Sequence, residues 1–431
     1  MRKLSLPVTW TVLLLAASVP VFGQVPYPRL AAYCLACPIA RSEVQKQLAR
    51  DNVAIVTVWP GWETTYRTTL DQVIQNIKAI NPNTLVFDYI KNNEIDGSAA
   101  TNRAYAELFD KLDSMRWYLY PIGTSGTPVR SSWPGATELN STLFTAKDPS
   151  GLNWVDWFAG WAVGKYYKPN PRLDGFFLDN VFWQPRVTGD WNVDGMPDSI
   201  RAAAPWLRQG NAEHFRYIRT LMPGKLQLGN IADLGHPNAE IAEYQGQMDG
   251  GFIEGLIGYS WSVETWGGWQ AMMTWYRKAM SVLGTAKLGL FGQIGSPTDY
   301  QAFRYGFASC LMDDGYFVFN SSSAYNDAPA FDEYAVALGK AISSPSVRAW
   351  QNGVYRRDFQ NGIALVNPKG NGPQTVTLET AFKRISGSQA PSVNTGQNTT
   401  TVTLNDRDGL ILLRLKPSAD SAAPANVTAD K

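Results

Sequence analysis

The segment that decides the fold reads Leu173-Asp174-Gly175-Phe176-Phe177-Leu178-Asp179-Asn180. Its apolar residues are consecutive, so they cannot alternate between water and a core, and they predict a parallel strand covered on both faces. Asp179 follows directly at the end of this strand, where α/β barrels place their active sites. The alternative interpretation is that Asp179 caps the next helix or accepts hydrogen bonds from loop amides.

Strand-like and helix-like segments alternate on both sides of this stretch. The predicted strands are 53–58, 84–90, 117–122, 174–180, 225–230, 251–256, 286–292 and 315–320. Helical patterns separate most of them, and 330–342 is predicted as the last helix. This order predicts an α/β fold, a (β/α)8 barrel. Residues 31–36 are interpreted as an accessory strand that covers one end of the barrel.

The two ends of the chain differ from the barrel region. Residues 1–23 have the form of a secretory signal peptide, with a basic start, a short apolar core and a small residue at its end. Residues 24–344 are assigned to the catalytic barrel domain. Short strands separated by Gly, Asn and Pro predict an antiparallel β-sandwich over 345–417, and 418–431 is expected to be a flexible tail. We therefore expect a secreted or periplasmic protein with no membrane span after signal removal.

Composition excludes several classes of function. The formal net charge is +1 without a basic run, which argues against a nucleic-acid partner. The chain has two histidines and three cysteines, too few for a zinc site or a clear Ser–His pair, and we find no Gly-rich nucleotide motif. Cys34 and Cys37 could form a local disulfide.

The 16 tryptophans suit a carbohydrate-binding cleft, so a carbohydrate substrate is expected and no cofactor is required. The sequence leaves the oligomeric state open.

Polar side chains at the predicted strand ends indicate glycosidic bond cleavage, which needs one protonated and one ionised carboxyl group. Asp179 and Glu254 are the predicted catalytic pair. Glu254 lies in an apolar strand flanked by glycines, and burial raises a carboxyl pKa, so Glu254 is predicted to be the proton donor and Asp179 the ionised nucleophile or base. The predicted substrate contacts are Trp59, Asp88, Asn180, Trp183, Asn230, Trp261, Gln293 and Asn320. For Asp88, a structural hydrogen bond is an equal alternative.

A second motif lies in the long loop after the 174–180 strand. Asp190, Asn192, Asp194 and Asp198 have the spacing of the first half of a calcium loop. Arg201 occupies the twelfth position, which excludes a complete EF-hand. The motif therefore predicts either a structural Ca2+ site or an ordinary turn rich in Asp and Asn.

Several of these stretches also resemble a known family. They are 173–180, 304–308 with 314–317, and 361–368 with 407–412. Together they resemble barrels of the hypothetical glycosyl hydrolase fifteen kind, which are distantly similar to endo-α-1,4-polygalactosaminidases. The resemblance covers roughly residues 30–416. It implies a glycoside hydrolase, and related barrels acting on α-linkages place their catalytic pair on strands four and six, the predicted positions of Asp179 and Glu254.

Residue chemistry and family resemblance predict the same function. We expect a secreted glycoside hydrolase that cleaves a polysaccharide or oligosaccharide with two carboxyl groups. The alternative is a catalytically inactive barrel that only binds carbohydrate, and assays on a panel of glycans would separate the two. The sugar, the linkage, endo or exo action and the stereochemical outcome are not determined by the sequence.

Overall fold

Most strands of the computed structural model, which describes residues 25–415, belong to one closed barrel. In chain order the first ten strands are β1 (Leu30–Cys34), β2 (Val53–Val56), β3 (Leu85–Ile90), β4 (Glu94–Asp96), β5 (Ala136–Glu138), β6 (Gly175–Leu178), β7 (Leu226–Asn230), β8 (Met248–Ile257), β9 (Leu283–Ile294) and β10 (Tyr316–Asn320). All except β4 and β5, which pair with each other, form a closed barrel with parallel pairing. The predicted (β/α)8 barrel is confirmed.

Helices cover the outside of the barrel. They are α1 (Ser42–Leu48), α2 (Trp62–Tyr66), α3 (Leu70–Ile80), α4 (Ala106–Met115), α5 (Trp154–Ala162), α6 (Ile200–Leu221), α7 (Val263–Met280) and α8 (Tyr300–Leu311). Their apolar faces and the outward side chains of the strands form the largest hydrophobic core. In the region from 25 to 415, no helix combines the length and apolarity needed to cross a membrane.

Two strand predictions were wrong. One barrel strand was left out and one segment was wrongly included, so the numbering of the later barrel strands does not change. The supposed accessory segment 31–36 contains β1, which pairs with β2 and β10 and closes the barrel. Segment 117–122 lies outside the barrel because Leu119 exchanges backbone hydrogen bonds with Val129 and Glu138, and β3 therefore pairs directly with β6. Asp179 and Glu254 consequently remain on the fourth and sixth barrel strands.

The predicted last helix over 330–342 was also wrong. Only a short 3-10 turn forms, at Asp332–Ala335. The following residues are extended because they pair with other segments. Tyr27 donates to the carbonyl of Gly339 at 2.8 Å, and Ile342 donates to that of Asp358 at 3.0 Å. These long-range bonds replace the local bonds of a helix.

The barrel interior is filled by alternate residues of the strands. Phe87, Phe177, Leu228 and Phe252 belong to its buried core. Side chains of a strand alternate between its two faces, so the residue two positions later faces the same interior. In chain order these residues are Tyr89, Asp179, Asn230 and Glu254. The apolar floor thus carries a polar layer at the C-terminal end of the barrel, which we call the mouth.

The C-terminal strands form one antiparallel sheet in the order β11-β12-β15-β13-β14. Their bounds are β11 (Tyr355–Phe359), β12 (Gly362–Asn367), β13 (Gln374–Arg384), β14 (Asn398–Leu404) and β15 (Asp408–Arg414). Strand β13 changes register between Thr377 and Phe382, and both parts of the sheet contribute to one small core. The start of β15 packs on α8, where Arg304 pairs with Asp408 at 3.0 Å although both are buried. An antiparallel C-terminal unit is confirmed.

The 190–198 loop does not fit a calcium ion. Asp190 is buried, and its carboxylate accepts backbone N–H bonds from Gly123, Asp194 and Gly195 at 2.7–3.1 Å. One oxygen of Asp198 accepts the N–H groups of Trp191 and Asn192. Amide donors therefore face these oxygens where a cation would have to lie. Between residues 25 and 415, no cluster of His, Cys, Asp and Glu could hold a metal. The turn interpretation is the one that the contacts support.

We predict that Asp190→Ala lowers the free energy of unfolding by about 2 kcal/mol or more, because three backbone donors lose their acceptor. Asp194→Ala is the matched control, since Asp194 is exposed and water can replace it. Thermal melts of the wild type should coincide with excess Ca2+ and with chelator. A calcium-dependent rise in Tm would contradict this account of the loop.

Candidate active site

The mouth of the barrel brings together three residues that the sequence predicted at the site. Asp179 leaves the end of β6, where its N–H donates to the carbonyl of Ile90 at 2.9 Å. Asn180 then adopts a left-handed conformation with φ 58°, which Asn tolerates better than most residues. Asn230 is the last residue of β7, and Glu254 lies within β8. Parallel pairing of β6, β7 and β8 sets the positions of Asp179 and Asn230, whereas Glu254 lies where the pairing of β8 with β9 changes register, between Ile253 and Ile257.

The Asn230 side chain bridges the two carboxyl groups. Its Nδ2 lies 3.0 Å from Asp179 Oδ1 and 2.9 Å from Glu254 Oε2. These two oxygens are therefore less than about 6 Å apart. An amide group carries two hydrogens on one nitrogen, so a single Asn can hold both acceptors. The predicted pair is thus close enough to act on one sugar carbon.

Two phenols complete the hydrogen bonding of the pair. The hydroxyl of Tyr89 donates to Asp179 Oδ2, and that of Tyr325 donates to Glu254 Oε1. Tyr259 places its own hydroxyl 2.6 Å from that of Tyr325. Each carboxyl group consequently has one phenol and shares the amide of Asn230.

The position of Tyr325 depends on the first barrel strand. Tyr325 has a left-handed backbone with φ 48°, and its carbonyl accepts the N–H of Ala36 at 2.9 Å. Ala36 lies within the turn that the Cys34–Cys37 disulfide closes after β1. The disulfide turn therefore supports the loop that presents a phenol to Glu254.

Burial raises the pKa of both carboxyl groups. For Asp179, hydrogen bonds from Tyr89 and Asn230 partly offset the increase in pKa. For Glu254, the bonds from Tyr325 and Asn230 act in the same way, whereas the negative charge of Asp179 raises its pKa further. Two carboxylates this close repel each other, so one retains its proton. The predicted division of protons, with Asp179 ionised and Glu254 protonated, is compatible with these effects and stays a prediction.

The hydroxyl pair Tyr325–Tyr259 is consistent with this division of protons. Either hydroxyl of the pair can be the donor. The Tyr325 hydroxyl can therefore accept a hydrogen bond from protonated Glu254 while it donates one to Tyr259, or donate a hydrogen bond to ionised Glu254, because hydroxyl hydrogens rotate. Glu254 thus keeps a hydrogen-bond partner in both protonation states, as a residue that transfers a proton requires.

Three predicted substrate contacts are buried in the barrel wall. Asp88 is fully buried, faces the helix layer and accepts the N–H of Val58 at 3.1 Å, so its structural alternative is the correct one. Gln293 faces α8 and donates to the carbonyl of Ala302 at 2.8 Å. Asn320 is buried and donates to the carbonyl of Tyr33, which ties β10 to β1. Asp88 and Gln293 are corrected because they face the helices, and Asn320 is corrected because its buried amide is bonded to the backbone of β1.

The predicted tryptophans take different positions around the site. Trp59 is half-buried, with Tyr66 against its ring edge, and lines a cavity of about 160 Å3 that Tyr89 also lines. Trp183 is half-buried and stacks on His236 with ring centroids 5.5 Å apart. Trp261 is exposed and stacks on Tyr259 at 4.4 Å. Trp261 therefore connects directly with the hydroxyl pair beside Glu254.

The sequence reasoning missed the phenols. Tyr89 could have been found, because it lies two residues after the interior Phe87 and so faces the mouth. Tyr259 and Tyr325 lie in loops, where no periodic pattern indicates the direction of a side chain. Their roles depend on loop conformations that only the folded chain defines.

Comparison with solved structures supports the fold. The cycloalternan-forming enzyme from Listeria monocytogenes, in complex with a pentasaccharide substrate, has a TM-score of 0.51 at 9% identity, covering 92% of this chain and 41% of that chain. An Anoxybacillus alpha-amylase has a TM-score of 0.49 at 9% identity, covering 88% and 90% of the two chains. The Nostoc punctiforme debranching enzyme has a TM-score of 0.47 at 13% identity, covering 87% and 88%. At such low identity, the first match bears on the fold alone.

Sequence comparison shows the family. No curated protein sequence matches the chain significantly. The model of hypothetical glycosyl hydrolase family 15 matches residues 78–363, which is more than half of the chain. The expected enzyme class, a glycoside hydrolase, is thereby confirmed, while the distant similarity to polygalactosaminidases stays a prediction. The family match extends over most of the barrel and both predicted carboxylates, and the chain belongs to hypothetical glycosyl hydrolase family 15.

Proposed function

We propose that the protein hydrolyses glycosidic bonds of a polysaccharide or oligosaccharide, with Asp179 and Glu254 as the catalytic pair. The observation that carries this proposal is the single amide nitrogen of Asn230 in contact with both carboxyl groups. Hydrolysis of a glycoside needs two carboxyl groups in different protonation states around one carbon. The burial and mutual repulsion of the two groups support such a difference.

The spacing favours a double displacement. Two oxygens less than about 6 Å apart match the separation of about 5–5.5 Å found in retaining enzymes better than the 6.5–9.5 Å of inverting ones. Asp179 attacks the anomeric carbon while Glu254 gives its proton to the departing oxygen. Glu254 then takes a proton from water, whose oxygen displaces Asp179. The sum is one glycoside and one water converted into two sugars, with both carboxyl groups restored.

Three further predicted residues remain proposed substrate contacts. Asn180 lies beside Asp179, and Trp183 and Trp261 present aromatic rings near the mouth. Flat rings pack against the apolar faces of sugars, and amides bind hydroxyl groups. Trp59 is a weaker candidate, because it lines the neighbouring cavity behind Tyr89.

We also propose that the enzyme is exported. The predicted signal peptide, 1–23, lies outside the described residues. Independent support comes from the Cys34–Cys37 disulfide, because disulfides persist mainly in oxidising compartments. Detection of the mature chain in culture medium or periplasm, beginning after Gly23, would test the localisation.

Asp179→Asn and Glu254→Gln should each lower kcat by orders of magnitude, because each removes a charge or an acidic proton and preserves the shape. Tm should change little. Asp88→Asn is the matched control. Burial keeps the pKa of Asp88 well above its usual range. Replacing its carboxyl group with the neutral amide of Asn should therefore leave most of the turnover intact. The measurements are steady-state kinetics on the best substrate of a glycan panel, together with thermal melts.

Near-normal turnover in either site variant would contradict the assignment. A wild type that binds glycans but hydrolyses none of them would instead favour the alternative of a carbohydrate-binding barrel. Loss of activity in Asp88→Asn at unchanged Tm would show that the buried carboxyl has a catalytic role that the contacts do not reveal.

The two phenols provide a test of the individual roles through the pH dependence of kcat/KM. The bond from Tyr325 lowers the pKa of Glu254, so Tyr325→Phe should raise that pKa and move the alkaline limb to higher pH. The bond from Tyr89 lowers the pKa of Asp179, so Tyr89→Phe should move the acid limb to higher pH. The sign follows because the acid must be protonated and the nucleophile ionised. If Tyr325→Phe moved the acid limb and Tyr89→Phe moved the alkaline limb, Asp179 would be the proton donor and Glu254 the nucleophile.

Retention of configuration is the expected stereochemical outcome. NMR spectra recorded during the first minutes of hydrolysis should show the product with the anomeric configuration of the substrate bond, before mutarotation mixes the anomers. The physical reason is that each of the two displacements inverts the anomeric carbon once. Initial formation of the opposite anomer would show that a water molecule fits between the carboxyl groups in the complex.

A further inference from the structure

Two tryptophans are conspicuously exposed beside the mouth. Trp261 is 55% exposed and Trp266 is 62% exposed, and the indole N–H of Trp266 donates to the carbonyl of Trp261 at 3.2 Å. We call these two residues the tryptophan platform. Large aromatic side chains are usually covered in a folded protein, so an adjacent exposed pair is typical of a binding surface.

The platform begins next to Glu254. Gly255 has a left-handed φ of 66°, and a Cβ built on it would lie 2.3 Å from Trp261 Cη2. The indole therefore packs on the backbone immediately after Glu254, at a distance that only glycine permits. The other connection is through Tyr259, whose ring stacks on Trp261 and whose hydroxyl meets that of Tyr325.

Aromatic neighbours hold the outer part of the platform. The ring of Trp266 meets that of Trp275 edge-on at 6.0 Å, and the Trp275 indole N–H donates to the carbonyl of Ala232 at 2.6 Å. The ring of His236 lies against Trp275 and stacks on Trp183. The exposed rings therefore rest on a packed row and do not need to be ordered when a ligand binds, which lowers the entropic cost of binding.

The contacts of the two Glu254 oxygens indicate on which side of the cleaved bond the platform lies. Oε2 faces Asn230 and Asp179, whereas Oε1 faces Tyr325 and, through it, Tyr259 and Trp261. A nucleophile attacks the sugar carbon from the side opposite the leaving group, and the proton donor stands at the leaving oxygen. The side of Glu254 that points away from Asp179 is therefore the side on which the leaving sugar departs.

We infer that Trp261 and Trp266 bind successive sugar residues on the leaving-group side of a long glycan chain. The inference rests on the proposed function, since it takes Glu254 as the proton donor. The indole faces match the apolar faces of pyranose rings, and two exposed indoles held together by the hydrogen bond from Trp266 to the Trp261 backbone can bind two residues of one chain. The substrate class is thus a polymer that extends beyond the cleaved bond, rather than a disaccharide or a small glycoside.

The test compares two substrates with different leaving groups. One is the polysaccharide that the wild type hydrolyses best, and the other is the glycosyl fluoride of the oligosaccharide that the wild type releases from it. A fluoride leaving group occupies no sugar-binding site. Hydrolysis of the glycosyl fluoride therefore depends on the mouth and does not depend on the platform. Trp261→Ala and Trp266→Ala should each raise KM for the polysaccharide about tenfold, the factor expected for the loss of one stacking contact of about 1.4 kcal/mol. Turnover of the fluoride by Trp266→Ala should stay within about twofold of the wild type, and Trp261→Ala should impair the fluoride less than it impairs the polysaccharide.

Two further variants control for folding and for nonspecific loss of aromatic surface. Trp133→Ala removes an indole that is 66% exposed in the loop before β5, outside the aromatic row, and should leave both KM values unchanged. Trp261→Tyr should recover part of the affinity for the polysaccharide. Thermal melts of all variants establish that each one folds.

Each other outcome overturns the inference in a distinguishable way. If the wild type hydrolyses the polysaccharide and both alanine variants keep its KM, the platform does not bind the leaving sugars, although the proposed function stands. If Trp261→Ala impairs polysaccharide and fluoride equally, the ring positions Glu254 instead. If the wild type hydrolyses no glycan, the proposed function fails and this inference fails with it.

Discussion

The contact between one amide nitrogen and two carboxyl groups is the constraint on which the rest of the site depends. Asn230 donates to both Asp179 and Glu254, and no cationic side chain is hydrogen-bonded to either of them within residues 25–415. Two carboxyl groups that share a neutral donor in a buried site cannot both ionise freely, because desolvation and mutual repulsion disfavour the second charge. The arrangement therefore supports the difference in protonation state that the proposed mechanism requires.

Closure of the barrel connects the beginning of the chain to this pair. Strand β1 lies between β2 and β10, so the disulfide turn at Cys34–Cys37 comes beside the loop after β10. That loop carries Tyr325, which is hydrogen-bonded to Glu254. The first and last barrel strands therefore jointly position a phenol at the proposed proton donor. An open sheet of the same strands would leave these residues far apart in space.

The sequence by itself determined the fold class, the two strands that carry Asp179 and Glu254, and the placement of Asp179, Asn230 and Glu254 at one end of the barrel. The reason is that consecutive apolar residues specify a buried parallel strand, and such strands expose their polar ends at one common edge. Alternation along a strand would also have separated Tyr89 from Asp88, since one faces the interior with Phe87 and the other faces the helices. The same rule would have excluded Gln293 from the predicted substrate contacts, because it faces outward like Phe291.

Only the tertiary structure decided which segments pair and which way loop side chains point. Segment 117–122 is as strand-like as β1, but hydrogen bonds to Val129 and Glu138 hold it outside the barrel. In the 190–198 loop, the spacing of oxygens suited calcium, whereas the backbone brings amide donors, including one from distant Gly123, to the same oxygens. Tyr325 reaches Glu254 from a loop without any pattern. Some of these deciding contacts join residues far apart in the chain and the others depend on the backbone conformation of a loop, and spacing along a sequence determines neither.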